Sequence, residues 1–248
     1  MASKQSNELK RLYEGWVTTV SSSPDMSMDD RRDMVEHWAD ATAEPRGVDY
    51  VETTVAAGMP AIWVLPHLAA EDRVLLCIHG GGFVAGSMFT QRKLFAHLAK
   101  AIGCRALIFE YRRAPENQHP AQLDDSIAAY RWLLDHGIPA DHLAVTGDSA
   151  GGGLAVSILL RARELGLPLP AASMPLSPWV DMASTGKTMV TNHGKDALFT
   201  LEIFPELQHT FQFSAGRAPE ADDAIRRLAT WVRPLLGLAP ADLHRRTA

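Results

Sequence analysis

Two uninterrupted apolar runs, Val74-Leu-Leu-Cys-Ile78 and Ala106-Leu-Ile-Phe109, limit what this chain can fold into more than any other feature. A strand with one solvated face alternates apolar and polar residues. A run that is apolar at every position must be covered on both sides, as a central strand of a parallel sheet is. The surrounding pattern supplies the covers. It predicts strands over 48–55, 60–65 and 73–78, then helix 91–101, strand 105–111, helix 123–136, strand 143–146, helix 150–165 and strand 172–176. Regular alternation of this kind predicts an α/β fold, with a mostly parallel sheet and helices on both faces.

Ahead of the first strand, Leu9, Leu12, Tyr13, Trp16, Val17 and Val20 share one helical face, and Met34, Val35 and Trp38 mark a second helix after Asp29 and Asp30. Pro45 and Gly47 then punctuate the chain, so residues 1–45 read as an N-terminal helical segment and 46–248 as the main domain. A chain of 248 residues is long enough for one α/β core of this kind.

Charge excludes one class of partner. The formal net charge is −5 and no run of Lys and Arg appears, so no nucleic acid is expected to bind. The N-terminus MASKQSNELK is polar where a secretory leader is apolar, and no stretch is long and apolar enough for a membrane span, which gives a cytoplasmic expectation. Cys77 and Cys104 both fall in predicted buried strands, where cysteine acts as a small hydrophobe rather than a metal ligand or catalyst.

Two motifs carry chemistry. Gly147-Asp148-Ser149-Ala150-Gly151 has the form G-x-S-x-G; it follows the apolar strand Leu143-Ala-Val-Thr146 directly and opens the helix from Ala150. In that context the serine sits on a sharp strand-to-helix turn at a helix N-terminus, where backbone N–H groups favour developing negative charge. A lone serine at a helix start can equally be an N-cap. The second motif, His79-Gly80-Gly81-Gly82-Phe83, follows the strand ending at Ile78. Residues without side chains let backbone N–H groups approach a substrate oxygen, and Gly81 and Gly82 together with Ala150 would form an oxyanion hole. A phosphate-binding reading fails because no Gly-Lys-Ser/Thr follows.

These two motifs in this order, with Tyr111-Arg-Arg-Ala-Pro-Glu116 and Pro120 between them, resemble the hormone-sensitive-lipase-like family of α/β-hydrolases, over about residues 1 to 235. The resemblance implies an α/β-hydrolase fold with an N-terminal helical cap over the site, formed here by residues 1–45. The GDSAGG form of the elbow implies the bacterial carboxylesterase branch, acting on short- to medium-chain acyl esters through an acyl-enzyme intermediate. In that cap Trp16 or Trp38 would line an acyl pocket or pack in the core. Chain order in this fold runs serine, acid, histidine, so His209, in Pro205-Glu-Leu-Gln-His-Thr-Phe211, is the expected general base for Ser149. His79 is expected to orient the glycine loop. No cofactor and no metal are implied, and the partner is a small-molecule acyl ester.

One departure stands out. The family carries a further strand and helix after Asp196-Ala-Leu-Phe199, with the triad acid just beyond that strand, but here Thr200 runs straight into Leu201-Glu-Ile-Phe204. The resemblance therefore implies an internal deletion near Thr200/Leu201, a sheet one strand and one helix short, and loss of the expected acid. Asp181, after the strand 172–176, is the substitute candidate, with a loop-fixing carboxylate as its alternative role; Asp196 is a weaker one. A last strand shifted by one spacing of about 4.8 Å would break a Ser–His hydrogen bond unless the following loop compensates. Two expectations follow: weak esterase activity, or a catalytically deficient hydrolase-fold protein that binds an acyl-like ligand or a partner chain. An exposed edge on strand 172–176 would also invite a homodimer.

Overall fold

A computed structural model describes residues 3–183 and 208–240. Its centre is a six-stranded sheet of β1 (Val48–Val55), β2 (Met59–Pro66), β3 (Ala70–Ile78), β4 (Cys104–Phe109), β5 (Leu143–Asp148) and β6 (Ala172–Leu176), in the order β1-β2-β4-β3-β5-β6. β1 and β2 form an antiparallel hairpin, β2 runs antiparallel to β4, and β3 lies parallel to both β4 and β5, with β6 parallel to β5. The helices are α1 (Ser6–Ser22), α2 (Met28–Glu36), α3 (Met88–Ile102), α4 (Ala121–Asp135), α5 (Ala150–Glu164) and α6 (Pro219–Leu235).

The apolar runs behave as their composition requires. Along β3, Leu75 and Cys77 pack with α3, α6 and the N-terminal Leu9, Tyr13 and Trp38. The alternate residues Val74, Leu76 and Ile78 pack with Ile127, Ala129 and Leu133 of α4 and Leu154 and Ile158 of α5. Successive side chains of a strand point to opposite faces, so a run that is apolar throughout serves two cores at once. Each fully buried aliphatic side chain contributes about 1.5–3 kcal/mol, so β3 is a main anchor of both layers. Cys77 and Cys104 are buried free thiols within the first of these cores.

Local chemistry sets the helix ends. Ser87 and Thr90 form a reciprocal capping box that starts α3 at Met88, three residues ahead of the apolar pattern, and Gly103 ends it in the left-handed region at φ 80°. The Ser27 side chain accepts the Asp30 N–H to start α2, with Asp29 and Asp30 complementing the helix dipole. The second N-terminal helix is shorter than its pattern suggested: α2 stops at Glu36, and Trp38 is buried from a 3-10 turn, His37–Ala41. The predicted strand 105–111 ends at Phe109, because the Glu110 carboxylate turns to accept the Met88 N–H at 2.9 Å and Tyr111 turns to stack on His79. Asp196 and the segment Leu201-Glu-Ile-Phe204 lie outside the described residues.

Candidate functional site

β5 runs through Gly147 and Asp148 directly into Ser149, the first residue before α5. Ser149 is held at φ 54°, ψ −113°, a conformation that costs a residue with a Cβ about 1–3 kcal/mol and persists only where neighbours enforce it. The enforcement is visible. Ser149 N–H donates to Leu176 O at 2.9 Å, and its carbonyl accepts both Gly153 N–H at 3.0 Å and Trp179 N–H at 2.9 Å. The flanking glycines are demanded by contact rather than by turn geometry: a Cβ on Gly147 would lie 2.1 Å from Gly151 O, and one on Gly151 would lie 2.1 Å from Ile78 O. The turn is therefore pressed directly against the end of β3, where the second motif begins.

From that end, the chain enters the glycine loop. Gly81 has φ 112°, and a Cβ there would meet Ala85 O at 2.0 Å, so only glycine fits. Gly81 O accepts Val84 N–H at 3.1 Å and Ala85 N–H at 2.9 Å, closing a tight turn. Among the described residues, the N–H groups of Gly81 and Gly82 bond no protein acceptor, and that of Ala150, at the first position of α5, lacks a helical one. Among the described residues, these three backbone donors have no protein acceptor.

His79 does not face the serine. Its Nδ1 donates to Gly80 O at 2.8 Å, its ring stacks on Tyr111 with centroids 4.1 Å apart, and Tyr111 O–H donates to His79 O at 3.1 Å. Burial holds the imidazole below its ordinary pKa, so it is a neutral ring that fixes the start of the loop, the role expected from sequence. Behind the loop, the buried Asp148 carboxyl accepts Gln91 Nε2–H at 3.2 Å and is pushed well above the usual carboxylate range by desolvation. Neither Gln91 nor Asp148 was singled out from sequence as part of this neighbourhood.

His209 is brought to the serine. Its Nε2 lies 2.9 Å from Ser149 Oγ, within hydrogen-bond distance. Thr210, in the left-handed region, donates its N–H to Ser177 Oγ at 3.2 Å. The N-terminal segment supports the same loop from the other side. Tyr13 O–H donates to His209 O at 3.1 Å, Trp38 Nε1–H donates to Tyr13 Oη at 3.0 Å, and Trp38 stacks on Phe213 at 5.0 Å. Trp16 and Trp38 pack against each other and Tyr13, so core packing is what their contacts describe. Burial holds the His209 imidazole down at about 4. A neutral imidazole can take the Ser149 proton on Nε2 in the tautomer that carries hydrogen on Nδ1.

Asp181 is exposed, and its carboxylate accepts Ala183 N–H at 3.2 Å, a turn-fixing contact. Its carbonyl accepts Trp179 Nε1–H at 3.2 Å. Among the described residues, no helix is long and apolar enough to cross a membrane, and no group of three His, Cys, Asp or Glu side chains is arranged to hold a metal ion.

A family profile described as alpha/beta hydrolase fold matches residues 75–242. The chain is 37% identical over 195 residues to an acetyl-hydrolase of Streptomyces hygroscopicus, a stretch covering 71% of this chain and 64% of the relative. It is 37% identical over 144 residues to an ethyl acetate hydrolase of Pseudomonas putida, covering 55% of this chain and 45% of the relative. The chain thus spans about half to just under two thirds of the length of these curated relatives. A crystal structure of an esterase from the bacterial hormone-sensitive lipase family superposes with a TM-score of 0.86 at 30% identity, covering 96% of this chain and 100% of that one.

Proposed function

The chain belongs to the α/β-hydrolase fold family and to its hormone-sensitive-lipase-like members, and on that premise we propose that it is a serine carboxylesterase acting on small acyl esters of short to medium chain. The observation that carries the reading is the 2.9 Å contact between Ser149 Oγ and His209 Nε2, made from a strained turn beside three backbone N–H groups that have no protein acceptor among the described residues. An N-cap serine needs neither the strain nor the imidazole. Two relatives that are named for hydrolysis of acetyl groups and of ethyl acetate support a small acyl group.

The chemistry follows from these groups. Ser149 Oγ attacks the acyl carbonyl carbon while His209 Nε2 takes its proton, and the carbonyl electron pair moves onto the oxygen. The N–H groups of Gly81, Gly82 and Ala150 hold that oxyanion, each donor worth about 3–4 kcal/mol. Collapse expels the alcohol, which receives the proton from His209 Nε2 and leaves an acyl-serine. Water, deprotonated by His209, attacks the acyl-serine; collapse releases the carboxylic acid and returns the proton to Ser149. Asp181 is the proposed substitute acid for the imidazolium, and residues 1–45 are the proposed cap. The deletion implied by the resemblance would remove the ordinary acid, a change that costs about 10⁴ in turnover in serine proteases, and slow turnover is the outcome expected from it.

The test is a chromogenic short-chain ester combined with a serine-directed phosphonate and intact-mass measurement. Turnover with one phosphonate adduct on Ser149, both lost in Ser149→Ala, is expected. Wild-type protein that neither turns over ester nor takes the label would replace the esterase reading with that of a ligand-binding hydrolase fold.

A further inference from the structure

The glycine loop is gripped from outside by α2. Arg32, on that helix, donates Nε–H to Val84 O at 2.8 Å and Nη2–H to Ala114 O at 3.1 Å. It also pairs with both oxygens of Glu116, at 3.0 and 2.6 Å, with Asp29 at 3.4 Å more loosely. One turn further along α2, Glu36 accepts the hydroxyls of Ser87 and Thr90 at 2.9 Å each, at the loop's other end. The side chain of Arg32 is 16% exposed, far less than a surface arginine in a solvated ion pair.

The bond to Val84 has a consequence for the oxyanion donors. A trans peptide is planar, so fixing a carbonyl fixes the N–H of the next residue in the same plane. Val84 O and Ala85 N–H share one plane, and Ala85 N–H donates to Gly81 O at 2.9 Å. Gly81 O in turn shares a plane with Gly82 N–H, which bonds no protein acceptor among the described residues. The direction of Gly82 N–H is thereby tied through two peptide planes to the guanidinium of Arg32. The room left by Gly81, where even a Cβ would lie 2.0 Å from Ala85 O, leaves the turn no slack to absorb a shift at Val84.

We propose that Arg32 is a positioning residue that aims the Gly82 N–H at the substrate oxyanion, so that docking of α2 and oxyanion stabilisation are coupled. This rests on the esterase reading above. Lysine keeps the charge but cannot hold Val84 O, Ala114 O and both Glu116 oxygens together, so charge alone does not rescue the role.

The experiment compares wild type, Arg32→Lys and Glu116→Gln on a short-chain nitrophenyl ester, with active sites counted by phosphonate titration so that only folded sites enter kcat. A trifluoromethyl ketone, which adds to Ser149 and presents an oxyanion, is the probe of the hole. Arg32→Lys is expected to lower kcat at least tenfold with KM within twofold, and to weaken ketone inhibition by the same factor as kcat, because the contact strengthens only in the transition state. Glu116→Gln, which keeps shape but loosens the fork, is expected to give the same split at a few-fold level and decides the matter if Arg32→Lys yields no titratable protein. A merely structural role would lower stability and site count but leave kcat per site and the ketone unchanged. That result, or a rise in KM at constant kcat, overturns the proposal. Wild type without turnover or labelling overturns the esterase reading and this inference with it, whereas wild-type turnover retained per site in both variants overturns this inference alone.

Discussion

Acidification tests the pairing of Ser149 with His209 more directly than truncating either residue. Burial holds the imidazole at about 4 instead of its ordinary 6.5. Only the neutral ring can take the serine proton, so kcat/KM should be flat from pH 8 to about pH 5 and fall about tenfold per unit below pH 4. At pH 5 about nine tenths of such a group is neutral, against about 3% for an imidazole at 6.5, so about 30-fold more activity should survive there than an exposed histidine would allow. The sign for stability runs the same way. The unfolded chain takes up a proton near pH 6.5 that the folded chain refuses until about 4, so this contribution is complete above pH 6.5 and is lost as pH falls toward 4. The assay is kcat/KM for a neutral short-chain ester across pH 3.5–8, with urea melts at each pH to separate inactivation from unfolding. An acidic limb centred at 6.5 or higher in folded protein would refute the reasoning, and would mean that an anion on the imidazole outweighs its burial.

Four further outcomes are expected. Ser149→Gly should abolish ester turnover yet melt at or above the wild-type temperature, since relief of φ 54° recovers about 1–3 kcal/mol against the smaller entropy cost of glycine; a large loss of stability would show that the turn is not strained. Gly81→Ala should cut kcat at least a hundredfold and destabilise the fold, because its Cβ would lie 2.0 Å from Ala85 O, while Gly82→Ala, meeting only Val84 Cγ2 at 3.9 Å, should cost about 1–2 kcal/mol; equal melting temperatures for the two would contradict the loop geometry. Tyr13→Phe should lower kcat and cost about 1–3 kcal/mol, because it removes the acceptor of Trp38 Nε1–H and one of the two donors to His209 O, the other being Thr210 Oγ1; a variant with wild-type melting and turnover would sever the N-terminal segment from the site. Asp181→Asn should reduce turnover and move the acidic limb to lower pH if this carboxylate serves the imidazole, whereas unchanged turnover and limb in a folded variant leave it as the turn contact to Ala183.

How far the sequence foretold this site depends on how far apart its parts lie in the chain. The elbow and the glycine loop were legible because each is a local pattern attached to an apolar strand: β5 leads into Ser149, and β3 leads into His79. The central strands were legible for the same local reason, and their ends were missed where side chains intervene, as Ser87 and Thr90 do at α3. Val17 shows the limit of periodicity. It lies about 80° around α1 from Leu9, at the margin of the apolar stripe, and is 45% exposed, whereas Leu9 and Tyr13 on the stripe are buried.

The supports of the site left no such trace. Tyr13 reaches His209 across 196 positions, and Arg32 reaches Val84 across 52, and neither pairing has a spacing that a local pattern could reveal. In sequence, Tyr13 is one more aromatic on a helix face and Arg32 one of several charges on a polar one. What they share is direction: both act from the N-terminal helices, one on the loop carrying His209 and the other on the loop carrying Gly81 and Gly82. Leu9, Tyr13 and Trp38 also belong to the same hydrophobic core as β3 and α3, so loosening that packing would disturb both loops together. The N-terminal segment thus bears on the packing behind both loops. Its burial contributes part of the free energy that holds Ser149, His209 and the glycine amides in one arrangement, and substitutions there should lower kcat before they alter KM.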